Sequence, residues 1–87
     1  MHMIALRLDV PPGEYVAPAD VAALIRVHFV PDDRIEHLWA HSATGSVNLA
    51  FFLLTDIEAE ALLSARAACQ RAIERTPRFT HWRLRDS

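Results

Sequence analysis

Lysine is missing from this chain: all nine basic residues other than histidine are arginine, so Schiff-base chemistry on a lysine amine has no residue to run on. Glycine is nearly missing as well. Only Gly13 and Gly45 occur, too far apart to form the GxxxxGK or GxGxxG loops that cradle phosphates. A single cysteine, Cys69, excludes an internal disulfide, a CxxC redox pair and a cysteine-rich zinc site. No apolar run approaches the roughly 20 residues of a membrane-spanning helix. The opening MHMIALRLDV lacks a basic segment followed by a long apolar one, so the expectation is a cytoplasmic protein without signal peptide or membrane anchor. A net charge of -2 offers nothing to attract a nucleic acid.

What is present is apolar material, 52% of 87 residues, enough for the core of one domain spanning 1–87. A chain of this size buries only about 60 to 65% of its unfolded surface. A homo-oligomeric partner would add to that.

MIALRLDV, residues 3 to 10, alternates Ile4, Leu6, Leu8 and Val10 with Ala5, Arg7 and Asp9, the period of a half-buried strand. PPGEYVAP follows as a loop in which Glu14 and Tyr15 form either a lid or a turn. A helix then carries Asp20 in its first turn and Val21, Leu24, Ile25, His28 and Phe29 on one stripe, ending at Pro31. His28 lies within that stripe near the C-terminal end, which suits a histidine at the edge of the core. SVNLAFFLLT, 46 to 55, is a continuous apolar run of strand length. Thr55 and Glu58 form a capping-box signature that predicts a second helix from about residue 56. Its stripe of Leu62, Ala65, Cys69, Ala72 and Ile73 is narrow and made largely of small residues, and Pro77 closes it. FTHWRLR alternates again, with Trp82 and Leu84 on one side and Phe79, His81, Arg83 and Arg85 on the other.

IEHLWAH, residues 35 to 41, is the ambiguous stretch. Ile35, Leu38, Trp39 and Ser42 fit a helical stripe opened by Asp32 and Asp33, whereas the following turn SATGS and apolar run fit a hairpin arm. The hairpin reading is favoured. On a helix His37 and His41 would stand one turn apart and could share a zinc ion, but on a strand they are about 13 Å apart and cannot. No metal site and no cofactor are therefore expected. As a strand the stretch sets Ile35, His37, Trp39 and His41 against Arg34, Glu36, Leu38 and Ala40, and either set could lie under the helices. Burying two histidines requires partners for both, which favours the outward placement of His37, Trp39 and His41.

The resulting βαββαβ order resembles the ferredoxin-like sandwich, an α+β fold whose four-stranded antiparallel sheet has the order 4-1-3-2 and carries both helices on one face. The resemblance covers the whole chain but is one of topology, with no family motif. On it, the open face of the sheet would gather Arg7, Arg83, His81, His37, Trp39 and His41, a set suited to an anionic or aromatic ligand. A solvated polar face with one exposed tryptophan is the plainer alternative. The third strand is apolar on both sides, with Val47, Leu49, Phe51 and Leu53 opposed to Ala50, Phe52 and Leu54. Something should cover the second side, and a second copy docking through Trp39, Ala50, Phe52 and Leu54 is the simplest cover.

Two functions follow. One is a non-catalytic homodimeric module that binds a protein partner or a small anionic or aromatic ligand on its open sheet. The other is a small cofactor-free enzyme of isomerase, cyclase or monooxygenase type, similar in architecture to the dimeric α+β barrels, in which His37, His41 or His81 serves as general acid or base. An RRM-like RNA platform is not expected, because the first strand offers Ala5 and Arg7 where that family stacks bases on aromatics.

Overall fold

The computed structural model describes residues 1–86. Alternation in β1 (His2–Asp9) drives Ile4, Leu6 and Leu8 into the core and leaves Met3, Ala5, Arg7 and Asp9 on the other side. Strands β2 (Ile35–Ala43), β3 (Ser46–Leu53) and β4 (Arg83–Asp86) join it in one antiparallel sheet of order β2-β3-β1-β4. The stretch IEHLWAH is thus strand. It turns into β3 through Thr44 and Gly45, where Gly45 holds the positive φ of 71° that a tight hairpin needs. The helices α1 (Pro18–Arg26) and α2 (Glu58–Arg75) feed one hydrophobic core with Val21, Ala22 and Ile25 from the first and Ala61, Ala65, Cys69 and Ala72 from the second. No helix among the described residues is long and apolar enough to cross a membrane.

The buried stripe of α2 consists of alanines and Cys69, all fully covered. Short side chains leave Leu6, Leu8, Leu49, Phe51 and Phe79 to fill the space between the layers, each such residue contributing about 1.5 to 3 kcal/mol. Leu62 and Ile73, on the expected stripe, lie at its margins.

Several boundaries differ from the sequence reading. Helix α1 stops at Arg26, and turns in which the His28 N–H donates to Ile25 and the Phe29 N–H to Arg26 carry the chain on. His28 and Phe29 therefore reach the core edge from a turn, Phe29 with its ring 6.3 Å from that of Phe51. Helix α2 begins at Glu58 with Ile57 at its N-cap, so Thr55 and Glu58 form no capping box. The Thr55 Oγ1 instead accepts from the Ile57 N–H at 3.4 Å. The Leu54 N–H is still bonded to the Arg34 carbonyl at the sheet end, and the chain uses Thr55 to Ile57 to climb to the helix layer. Phe79 closes a 3₁₀ turn from Pro77 and is fully buried, its ring 4.8 Å from Trp82. It does not alternate with Trp82 to the opposite face. His81 has a φ of 72°, which breaks the extended conformation before β4 begins at Arg83.

One polar clamp joins the two halves of the chain. Asp33, almost fully buried, receives both Arg71 Nη groups at 3.2 and 3.4 Å and the Val30 N–H at 2.9 Å. The same Arg71 Nη1 donates to the His28 carbonyl at 2.8 Å, and His28 Nε2 pairs with the Thr76 hydroxyl at 3.3 Å. The link from α1 to β2 is thereby fastened to α2 through groups that would otherwise be buried without partners.

Asp33→Ala removes both the carboxylate opposite Arg71 and the acceptor of the Val30 N–H. Urea denaturation should show a loss of about 2 to 3 kcal/mol, less than for a fully buried pair because Arg71 remains partly in water. Asp32→Ala, at an exposed position, should cost less than about 0.5 kcal/mol. Equal losses would show that the clamp contributes nothing specific.

Cys69 yields a second test. Burial pushes its thiol up from 9.0 to about 12, so the folded protein holds the neutral form. The thiol should resist aromatic disulfide reagents at about pH 8 in the folded protein and react once urea unfolds it. The unfolded chain releases this proton first, so the stability from this group is complete below pH 9.0 and declines as pH rises towards about 12.

Candidate functional site: the open face of the sheet

Pairing registers arrange the uncovered face in cross-strand rows. His37, Phe52 and Met3 form the first, and Trp39, Ala50 and Ala5 the second. His41, Asn48, Arg7 and Arg85 form the third, and Ala43, Ser46, Asp9 and Arg83 the fourth. The face is zoned, with hydrophobic side chains and His37 at one end and polar and cationic ones at the other. Trp39 is 62% exposed, Met3 57% and Leu54, just beyond the end of β3, 49%. Phe52 and Ala50 are half-buried.

Ordinary alternation sets His37, Trp39 and His41 opposite Leu38 and Ala40, and a β-bulge separates Ile35 from them. Ile35 pairs with Leu53 and His37 with Phe52, so Glu36 is an extra residue in β2. Ile35 consequently packs against the core, and it does not share the histidine face as simple alternation predicts. His37 and His41, four strand positions apart, are both exposed and share neither a partner nor an ion-binding cluster among the described residues.

In the cationic zone Asp9 is the hub. One carboxylate oxygen lies 3.3 Å from Arg7 Nε and the other is paired with Arg85 Nε. Arg7 Nε is buried and not aligned for a hydrogen bond. Both guanidinium groups thus turn their Nε edges to one carboxylate, which leaves their Nη groups for other acceptors. Arg83 stands opposite Asp9 in the β1–β4 ladder and makes no ion pair among the described residues. Arg7 and Arg83 come together here, whereas His81 lies in the turn before β4 and is not part of the sheet face. Arg85, Asp9, Ala5 and Met3 complete the arrangement. Their alternation parity was visible in the sequence, but which residues stand side by side depends on the strand pairing.

Two recesses adjoin the sheet. One of about 230 Å³ opens at the hairpin end, between the loop Val10–Val16 and the residues Ser42, Ala43, Ser46 and Val47, with no histidine in its wall. Glu14 anchors that loop by accepting from Trp82 Nε1 at 3.2 Å, while Tyr15 stays exposed. The other is an open groove between α1 and β2, bordered by Arg26, His37 and Trp39. Arg26 donates to the Leu38 carbonyl in it at 3.4 Å.

Comparison with protein-family models, with curated proteins and with solved structures gives no match.

The strand geometry sets an expectation for zinc. Imidazoles about 13 Å apart cannot ligate one ion, so calorimetry should detect no tight one-to-one zinc binding, and zinc should not raise the melting temperature. Stoichiometric binding abolished in both His37→Ala and His41→Ala would contradict this geometry.

Proposed function

We propose that this chain is a ferredoxin-like, non-catalytic cytoplasmic module that works as a homodimer, two copies meeting through their open sheet faces and binding a small ligand or a protein partner there. The strand order β2-β3-β1-β4, which reads 4-1-3-2 from the opposite edge, supports the ferredoxin-like reading. A single observation carries the dimer: β3 sends Val47, Leu49, Phe51 and Leu53 into the core, while its other side presents Phe52 and Ala50 between exposed Trp39 and Met3. A contiguous apolar end of this kind on a small chain marks an interaction surface.

Features of the sheet edges favour the face over edge-to-edge pairing as the contact. Strand β2 carries the bulge at Glu36, and its Leu38 carbonyl is occupied by Arg26. Strand β4 is four residues long and contains two arginines. Bulges, short strands and charge are the devices that discourage strand addition. The aromatic anchors Trp39 and Phe52 are the residue types that carry binding energy at such contacts.

Light scattering after size exclusion at micromolar concentration should give twice the 9.8 kDa chain mass. Phe52→Asp should yield a folded monomer with unchanged circular dichroism, because the aspartate meets solvent within one copy and apolar surface within two. A wild-type monomer at high micromolar concentration would remove the homodimer from the proposal.

A further inference from the structure

Ala5 and Ala50 sit side by side at the middle of the open face. Phe52 and Met3 lie on one side of them along the strands, Asn48 and Arg7 lie on the other, and Trp39 follows in the same row. Between two facing sheets these two methyl groups would form the floor of a trough. If two sheets meet face to face at about 10 Å, side chains this short do not reach across, and space remains above them. That space has an apolar end and a cationic end.

The cationic end is preorganised. Asp9 holds Arg7 and Arg85 by their Nε edges, so two arginines share one carboxylate, and Arg83 stands opposite it in the ladder as a third cation. Such forks suit a carboxylate better than a point charge does. We propose that the open face binds a small amphipathic carboxylate, its flat apolar body over Ala5 and Ala50 against Trp39 and its carboxylate on the Nη groups of Arg7 and Arg85. The assignment rests on the ligand-binding reading above and names the class of ligand.

Geometry also sets the ligand's length. Rows on one face of a strand repeat every two residues, about 6.8 Å. Arg7 bends towards Asp9, the next row on, so its guanidinium lies about one and a half rows, roughly 10 Å, from the alanine floor. A carboxylate joined to an aromatic ring through a short chain spans this distance, whereas acetate or butyrate cannot occupy both ends. The charge of the zone is complementary: its arginines outnumber its acids although the whole chain is net negative.

The probe is phenylbutyrate, with butyrate, phenylbutanol and inorganic phosphate as comparators, followed by amide and indole NMR while light scattering records the oligomeric state. Phenylbutyrate should shift the Trp39 indole and the Ala5 and Ala50 amides and bind about tenfold or more tightly than each comparator. Arg7→Gln and Arg85→Gln should each weaken it about tenfold, the loss of a charge-assisted hydrogen bond. Ala50→Leu should abolish binding by filling the trough while keeping every charge. Arg85 lies on a short edge strand, so its variant tests the site even if Arg7→Gln fails to fold. A dimer that does not bind phenylbutyrate would overturn the site and leave the dimer standing. Binding by a monomer at these residues would support the site and remove the dimer. Phosphate binding as tightly as phenylbutyrate, or shifts confined to the recess at Val10–Val16, would overturn the inference.

Discussion

Strand β3 lies between β2 and β1, apolar along the whole of one side and at Ala50 and Phe52 on the other, and a two-layer domain has helices to cover only one side. Covering Val47, Leu49, Phe51 and Leu53 uses both helices. The residues between them are then committed to whatever lies outside the chain, and their neighbours follow. Register with β3 brings Met3 and Ala5 to one side of Phe52 and Ala50 and Trp39 to the other. The exposed apolar zone is therefore a product of strand pairing around one segment, and no single residue on it accounts for it.

Much of this was legible in the chain. The alternation of Ile4, Leu6 and Leu8 defines the buried side of β1, and the apolar run from Leu49 to Leu54 marks a strand with apolar side chains on both faces, of which the helices cover one. The cost of burying two imidazoles placed His37, Trp39 and His41 outward. The misses share a cause: each depends on a backbone event that side-chain periodicity does not encode. An extra residue at Glu36 moves Ile35 to the core side, and a left-handed turn at His81 takes that histidine off the strand. Helix α1 stops at Arg26, and the His28 carbonyl beyond it accepts from Arg71, a contact 43 residues away in sequence that local periodicity does not encode. Alternation alone sets Arg85 on the outward side of its strand, but its place beside Arg7 depends on the pairing of β4 with β1.

The absence of lysine acquires a structural sense in the cationic zone. Guanidinium groups can spend one edge on Asp9 and still present a second edge, which an ammonium ion cannot do with comparable geometry. Asp9 acts there as a support that fixes orientation. Arg71 uses the same property on the opposite side of the sheet, meeting a carboxylate and a carbonyl at once. One residue type thus serves a buried clamp and a solvated face.

The bulge at Glu36 has a consequence for deletions. Removing that residue would let Ile35 and His37 alternate as neighbours in an ordinary ladder, with Ile35 still inward and His37 still outward, so the core would not register the loss. What would change is the outline of the edge, which would become straighter and more regular, a better template for a strand from another molecule. Glu36 can therefore be dispensable to the folded monomer and still matter at the concentrations of a crowded solution, where the cost of an unguarded edge is measured in precipitate.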